Sequence, residues 1–183
     1  MAAQPWVVAV GTIVVLIVFM LLQQKWGNNA DQGALSVPIV LAMACSSQGP
    51  ILELGVNPFT TPLIHELGRQ KGRNITTYDT KDKTRRYRKN LSTNWHTFRH
   101  TSKENPESDG RWGVAVVQGF RKDTARCIRD LKPNTGVIVV KDADETLVNR
   151  IMNPGLEDAC SKFRYRYRVR GVRPSTWLLS DTI

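Results

Sequence analysis

The side chains best placed to do chemistry are basic ones in two short runs. RYRYRVR sets Arg164, Arg166, Arg168 and Arg170 two residues apart. On a strand such residues share one face and repeat at about 6.6 Å. Guanidinium groups so arrayed suit phosphates or carboxylates, which they grip through paired N–H donors. Tyr165, Tyr167 and Val169 fall on the opposite face and are expected to turn toward a core. The row reads equally well as a solvated edge strand whose charge blocks edge-to-edge pairing. The second run, KDKTRRYRK, supplies Lys81, Lys83, Arg85, Arg86, Arg88 and Lys89 against a single acid. It suits docking on nucleic acid or an anionic lipid surface, or it is an exposed loop. Tyr78, Tyr87, Trp95 and Phe98 lie nearby and would permit base stacking. No RRM, KH or zinc-finger pattern accompanies them, so any nucleic-acid contact is expected to be nonspecific in sequence.

Other candidate chemistry is sparse. His96 and His100 in HTFRH would share one face of a helix and could bind a metal there. A zincin needs Glu directly after its first His, and Thr97 holds that position. No Cys-x-x-Cys pair completes a zinc site, so no metal is expected. His65-Glu66 in TPLIHELG reads as a helix surface pair rather than an acid–base dyad. Cys127 and Cys160 sit at apolar helix positions and read as small hydrophobes. The nucleophile elbow G-x-S-x-G, the P-loop and G-x-G-x-x-G are absent. The expectation is a non-enzymatic protein without catalytic residues or cofactor.

Composition sets the frame for these residues. The 183 residues carry 26 Lys and Arg against 16 Asp and Glu, a net charge of +10. That excess favours an anionic partner: nucleic acid, lipid headgroups or an acidic protein surface. Three scattered cysteines exclude a disulfide-framed miniprotein.

The first 22 residues contain no charged side chain. PWVVAVGTIVVLIVFMLL, residues 5–22, is just long enough to cross a hydrocarbon core of ~30 Å as a helix. Trp6 and Trp26 bracket it at interfacial depth, and Gly11, Leu16 and Leu22 lie within it. A retained single-pass anchor is expected in preference to a cleaved signal peptide, whose basic n-region is missing. All Lys and Arg follow the span, so the N-terminus is expected outside and the body on the cytoplasmic-equivalent side. Val37 to Cys45 is too short to span and reads as a buried strand or a surface-lying segment.

Beyond the anchor (1–26), residues 27–110 are expected to form a tether and a polar, basic, extended region with a short helix near 61–68. Residues 111–183 give the clearest fold signal. WGVAVV and GVIVV read as strands buried on both faces. DTARCIRDLK between them has Ala125, Ile128 and Leu131 at helical spacing. Asp142 to Glu145 suggests a capping box opening a further helix, and strands follow near 164–170 and 176–179. The expected class is therefore a single-pass transmembrane helix plus a small basic α/β domain of β-α-β-α-β order at the C-terminus.

The segment GPILELGVNPFTTPLI resembles an early stretch of protein-translocation channel subunits, one short match without the remaining spans, and it transfers no function. The expected function is a structural or scaffolding component. It would tether to a bilayer and dock on other subunits of a membrane complex or on a viral shell as a minor virion protein. The alternative is a membrane-tethered nucleic-acid-binding module.

Overall fold

In the computed structural model, residues 36–46, 48–79, 84–100, 110–117, 124–141, 154–169 and 175–182 are described. All belong to the compact unit Ala34–Ile183. Their elements follow in the order α1 (Ser36–Cys45), β1 (Ile51–Leu54), α2 (Thr60–Lys71), β2 (Ile75–Asp79), α3 (Thr84–Leu91) and β3 (His96–His100). After these come β4 (Trp112–Val117), α4 (Thr124–Leu131), β5 (Thr135–Val140), α5 (Leu156–Ser161), β6 (Tyr165–Val169) and β7 (Thr176–Ser180).

The seven strands make one sheet in the order β3-β2-β1-β4-β5-β7-β6. β3, β2, β1, β4 and β5 run parallel, and β7 is antiparallel to both its neighbours. This corrects the expected fold class. Three strands from before residue 101 form one end of the sheet, so the α/β layer is not confined to a small C-terminal domain. β1 and β2 escaped notice because ILEL and ITTYD are too short and too polar to show the apolar run that marked β4 and β5. Among the described residues no helix is long and apolar enough to cross a membrane. The expected span, with Trp6, Gly11, Leu16, Leu22 and Trp26, lies outside the described residues.

One face of the sheet is apolar. Leu52, Leu54, Ala115, Val117, Ile138, Val140 and Leu179 pack there against Ile128 and Leu131 of α4 and Ala159 and Cys160 of α5. α1 and α2 pack together on the other face, α1 lying over β4, β5 and β7. Val37 to Cys45 is thus helical, not extended. Pro38 is tolerated because it falls in the first turn of α1, where backbone N–H groups have no intrahelical acceptor.

α2 runs past Gly68, the expected stop, to Lys71, and ends at Gly72 with φ 62°. The Arg73 amide donates to the Gly68 carbonyl at 2.9 Å, closing the turn that left-handed helix ends favour. Gly68 serves close packing instead: a Cβ there would run into the side chain of Ile75.

Arg73 then turns inward. Its Nε donates to the Gly49 carbonyl at 2.6 Å, Nη1 to that of Ser46 at 2.6 Å and Nη2 to that of Gln48 at 3.1 Å. It therefore places a cation just past the C-terminus of α1, which has no basic residue in its own last turn. Burial without a carboxylate partner among these contacts lowers its proton affinity. Gly113 allows this packing, since a Cβ there would overlap both the Gln48 carbonyl oxygen and Arg73 Nη2.

Candidate functional site

The parallel strands diverge in connection direction between β1 and β4: the chain passes from β1 to β2 and β3 on one side, and continues from β4 to β5 on the other. In open α/β sheets the crevice at the carboxyl ends of strands at such a reversal is the place where ligands bind. The loop from Gly55 to Phe59 and the end of β2 form this edge here.

Gly55 follows β1 directly with φ 95°, a conformation that side-chain-bearing residues rarely adopt. Its amide donates to the Tyr78 carbonyl at 2.7 Å, tying the turn to β2. The next amide, Val56 N–H, donates to Asp79 Oδ2 at 3.1 Å. Asn57 folds the rest of the loop around itself. Its N–H donates to Thr61 Oγ1 at 2.9 Å, and its Oδ1 accepts from Phe59 N–H at 2.9 Å and Thr60 N–H at 3.2 Å. Its carbonyl accepts from Thr61 N–H at 3.1 Å. Pro58 has no N–H. Every backbone donor from Gly55 to Thr61 is therefore engaged within the chain.

A buried polar cluster underlies the loop. The register sets Glu53 beside Thr77 and Ile75 beside His96, so all four share the face that α2 covers. Glu53, Thr77, His96 and Thr61 are completely buried. Glu53 accepts from Thr61 Oγ1 at Oε1 and from Thr77 Oγ1 at Oε2, both at 2.8 Å. Thr77 Oγ1 lies 2.9 Å from His96 Nε2, and His96 Nδ1 lies 2.9 Å from His65 Nδ1. Trp95 packs on the His65 ring at 4.3 Å and Phe98 stacks on His96 at 4.2 Å. Burial, reinforced by His65, drives the His96 pKa down to about 3. His65 is lowered too, by burial first and by Arg69, with Glu66 opposing.

This arrangement revises the reading of the histidines. HTFRH is strand β3, not helix, so His96 and His100 stand about 13 Å apart along it and cannot share a metal ion. His65 is no isolated surface pair with Glu66; it reaches the buried His96. Among the described residues no group of three or more His, Cys, Asp or Glu is placed to hold a metal.

The two basic runs do not converge. Arg85, Arg86, Arg88 and Lys89 are exposed on α3, which packs beside β3 at one edge of the sheet. Arg166 and Arg168 stand on β6 at the opposite edge, and Arg164 immediately precedes it. Six inter-strand steps, roughly 29 Å, separate those edges. Lys81, Lys83 and Arg170 lie outside the described residues. β6 carries its tyrosines outward, contrary to expectation: Tyr165 is 40% and Tyr167 60% exposed. An edge strand is covered on neither face along its whole length. On the other face Arg166, exposed, pairs with Leu179, and Arg168, half-buried, pairs with Trp177. The Arg168 guanidinium lies 5.8 Å from the Trp177 ring centre.

Glu53, Gly55, Asn57, Thr77 and Asp79 were not singled out in the sequence. The signal available was a strand ending in glycine, a helix opening directly after it, and an acid closing the next strand some twenty residues on. The missing second glycine of the dinucleotide pattern, where Asn57 stands, hid it.

No protein-family model and no curated protein matches this sequence. Solved structures do match its fold. The ribosomal protein L11 methylase of Lactobacillus delbrueckii subsp. bulgaricus superposes with a TM-score of 0.59 at 14% identity, covering 86% of this chain and 81% of that one. The SAH-bound methyltransferase PaMTH1 of Podospora anserina gives 0.57 at 12%, covering 98% and 97%. Human methyltransferase-like protein 13, in complex with SAH, gives 0.57 at 10%, covering 80% and 81%. Of several longer matched chains this one spans between 44% and 56%. At these identities the likeness establishes the fold. That fold, shared with enzymes, overturns the expectation of a non-enzymatic, membrane-anchored structural or virion component placed by a single span. The described unit has the architecture of methyltransferases.

Proposed function

We propose that the chain is a methyltransferase using S-adenosylmethionine. The observation that carries this reading is the closed loop after β1. A dinucleotide or nucleoside phosphate at this edge needs free backbone N–H groups at the following helix start. Here Asn57 and Thr61 consume those donors, while a carboxylate, Asp79, closes β2. A nucleoside ligand without phosphate is what such an edge accepts, and S-adenosylmethionine is one.

The residues present fit that cofactor. Asp79 is placed to accept from ribose hydroxyls, as an acid in this position does in related sheet folds. Gly55 keeps the backbone clear of a side chain where a ligand must approach closely. When bound, the cofactor supplies an electrophilic methyl group on a sulfonium sulfur. The chain's part is to hold it: Asp79 fixes the ribose end, Gly55 shapes the crevice, and the switch point between β1 and β4 leaves the edge open to an acceptor.

The basic surfaces support an anionic acceptor, nucleic acid or acidic protein, engaged through Arg164, Arg166 and Arg168 or through Arg85, Arg86, Arg88 and Lys89. Because the two groups lie at opposite edges, charge reversal in one should weaken acceptor binding and its salt dependence while the other leaves both unchanged. The cofactor reading is tested by thermal shift with SAH, ADP and NAD. Stabilisation by SAH alone is expected; stabilisation by ADP or NAD without SAH would refute it.

A further inference from the structure

The buried cluster forms one continuous path from the protein surface to the loop. Its polarity follows from donor counting. Asn57 N–H can only donate, so Thr61 Oγ1 accepts from it at 2.9 Å and gives its own proton to Glu53 Oε1. Thr77 Oγ1 donates to Glu53 Oε2, so it must accept from His96 Nε2–H. A neutral His96 protonated at Nε2 has a bare Nδ1, which accepts from His65 Nδ1–H. Donors from both ends thus converge on one carboxylate. The left arm begins at a loop amide and the right arm at a helix-surface imidazole.

Resting on the reading that this loop receives a nucleoside cofactor, we propose that His65 and His96 are positioning residues for it: through Thr77, Glu53 and Thr61 they hold Asn57 and the loop in its ligand-ready shape. Their effect is indirect, since neither ring contacts the loop. Three features support the role. Glu53 accepts from α2 and β2 together, so it locks the helix that follows the loop to the strand beside it. Thr61 couples that lock to Asn57, the residue that organises the loop donors. Phe98 stacked on His96 and Trp95 packed on His65 fix the two ring planes, so His65 Nδ1 and both His96 nitrogens are each held to one partner. Such a path is stronger than separate pairs because each bond orients the next. A buried hydrophobic residue at position 96 would pack as well, but it would leave Thr77 without its donor.

The test uses the full chain. In the unliganded protein, nitrogen-15 spectra of the imidazoles are expected to show His96 protonated at Nε2 and neutral His65 at Nδ1; His96 protonated at Nδ1 instead would overturn the polarity. Thr77→Val and His96→Gln are then compared with Ile128→Val, a core change on the opposite face. Thr77→Val is expected to weaken SAH binding about tenfold and to speed exchange of the Asn57 amide, and His96→Gln to do both to a smaller extent because its amide can still donate to Thr77. Ile128→Val should lower stability without either effect. Equal Asn57 exchange and equal SAH affinity in all three variants would refute the proposal. Absence of SAH binding in the unmodified protein would refute the cofactor reading instead, and Asn57 exchange would still decide the positioning role.

Discussion

Acid should unfold this protein through His96, and the size of the effect follows from its surroundings. The ring is fully buried, stacked on Phe98, and already saturated by His65 and Thr77. Its pKa falls from 6.5 to about 3. In the unfolded chain the same imidazole takes up a proton below pH 6.5, whereas the native ring refuses it until about pH 3. The unfolded state therefore binds more protons across that window, and stability falls as pH falls through it. The contribution is complete above pH 6.5. Each unit below costs about 1.4 kcal/mol, so close to 2 kcal/mol is lost by pH 5. His65, also lowered, acts in the same direction. Urea unfolding at several pH values, for the natural chain and His96→Gln, isolates the contribution of His96 and its bonded partner His65, because titrating groups away from them cancel in the difference. The stability gap between the two should narrow by ~2 kcal/mol between pH 7.5 and pH 5. Parallel pH profiles would show that the ring titrates alike in both states and would refute the reasoning.

Other consequences concern how the frame is held. Gly113→Ala forces a Cβ into the Gln48 carbonyl and the Arg73 guanidinium, and should cost ~3 kcal/mol, read as a lowered urea midpoint. Arg73→Leu leaves the carbonyls of Ser46, Gln48 and Gly49 without their shared donor, with an expected loss of about 3 kcal/mol. Arg73→Lys should recover only part of that, because one ammonium cannot span the three carbonyls as the planar fork does. An unchanged midpoint in the Lys variant would show that charge alone, rather than geometry, holds the end of α1.

The C-terminal half of the sheet was legible because it obeys simple patterns. WGVAVV and GVIVV are apolar on both faces, as strands buried between helices must be. TARCIRDL places Ala125, Ile128 and Leu131 on one stripe, and α4 buries that stripe. The N-terminal half breaks those patterns for reasons the structure supplies. β1 and β2 carry Glu53 and Thr77 inward, where a core strand would carry Val or Ile, because these side chains bond to α2 and β3. β3 mimics a helical metal pair through His96 and His100, and only its pairing with β2 shows that it is a strand. α1 looked like a strand because Pro38 and three β-branched residues argue against a helix, yet Ile39, Ala42 and Met43 line its buried side. α3, TRRYRKNL, was hidden by its charge; a helix at the edge of a sheet needs little apolar surface. The basic runs were visible by composition alone, but their places at opposite edges depend on strand order, which no local pattern encodes. The candidate site was the least legible part. Gly55 and Asp79 gain meaning only when β1 and β2 lie side by side.

The most direct test of this account is calorimetric titration of the purified chain with SAH, alongside Asp79→Ala. We expect saturable one-to-one binding, weakened by Asp79→Ala roughly tenfold or more, the loss of hydrogen bonds to a charged acceptor. No heat of binding, or an affinity indifferent to Asp79, would contradict the assignment of this sheet edge as a nucleoside cofactor site.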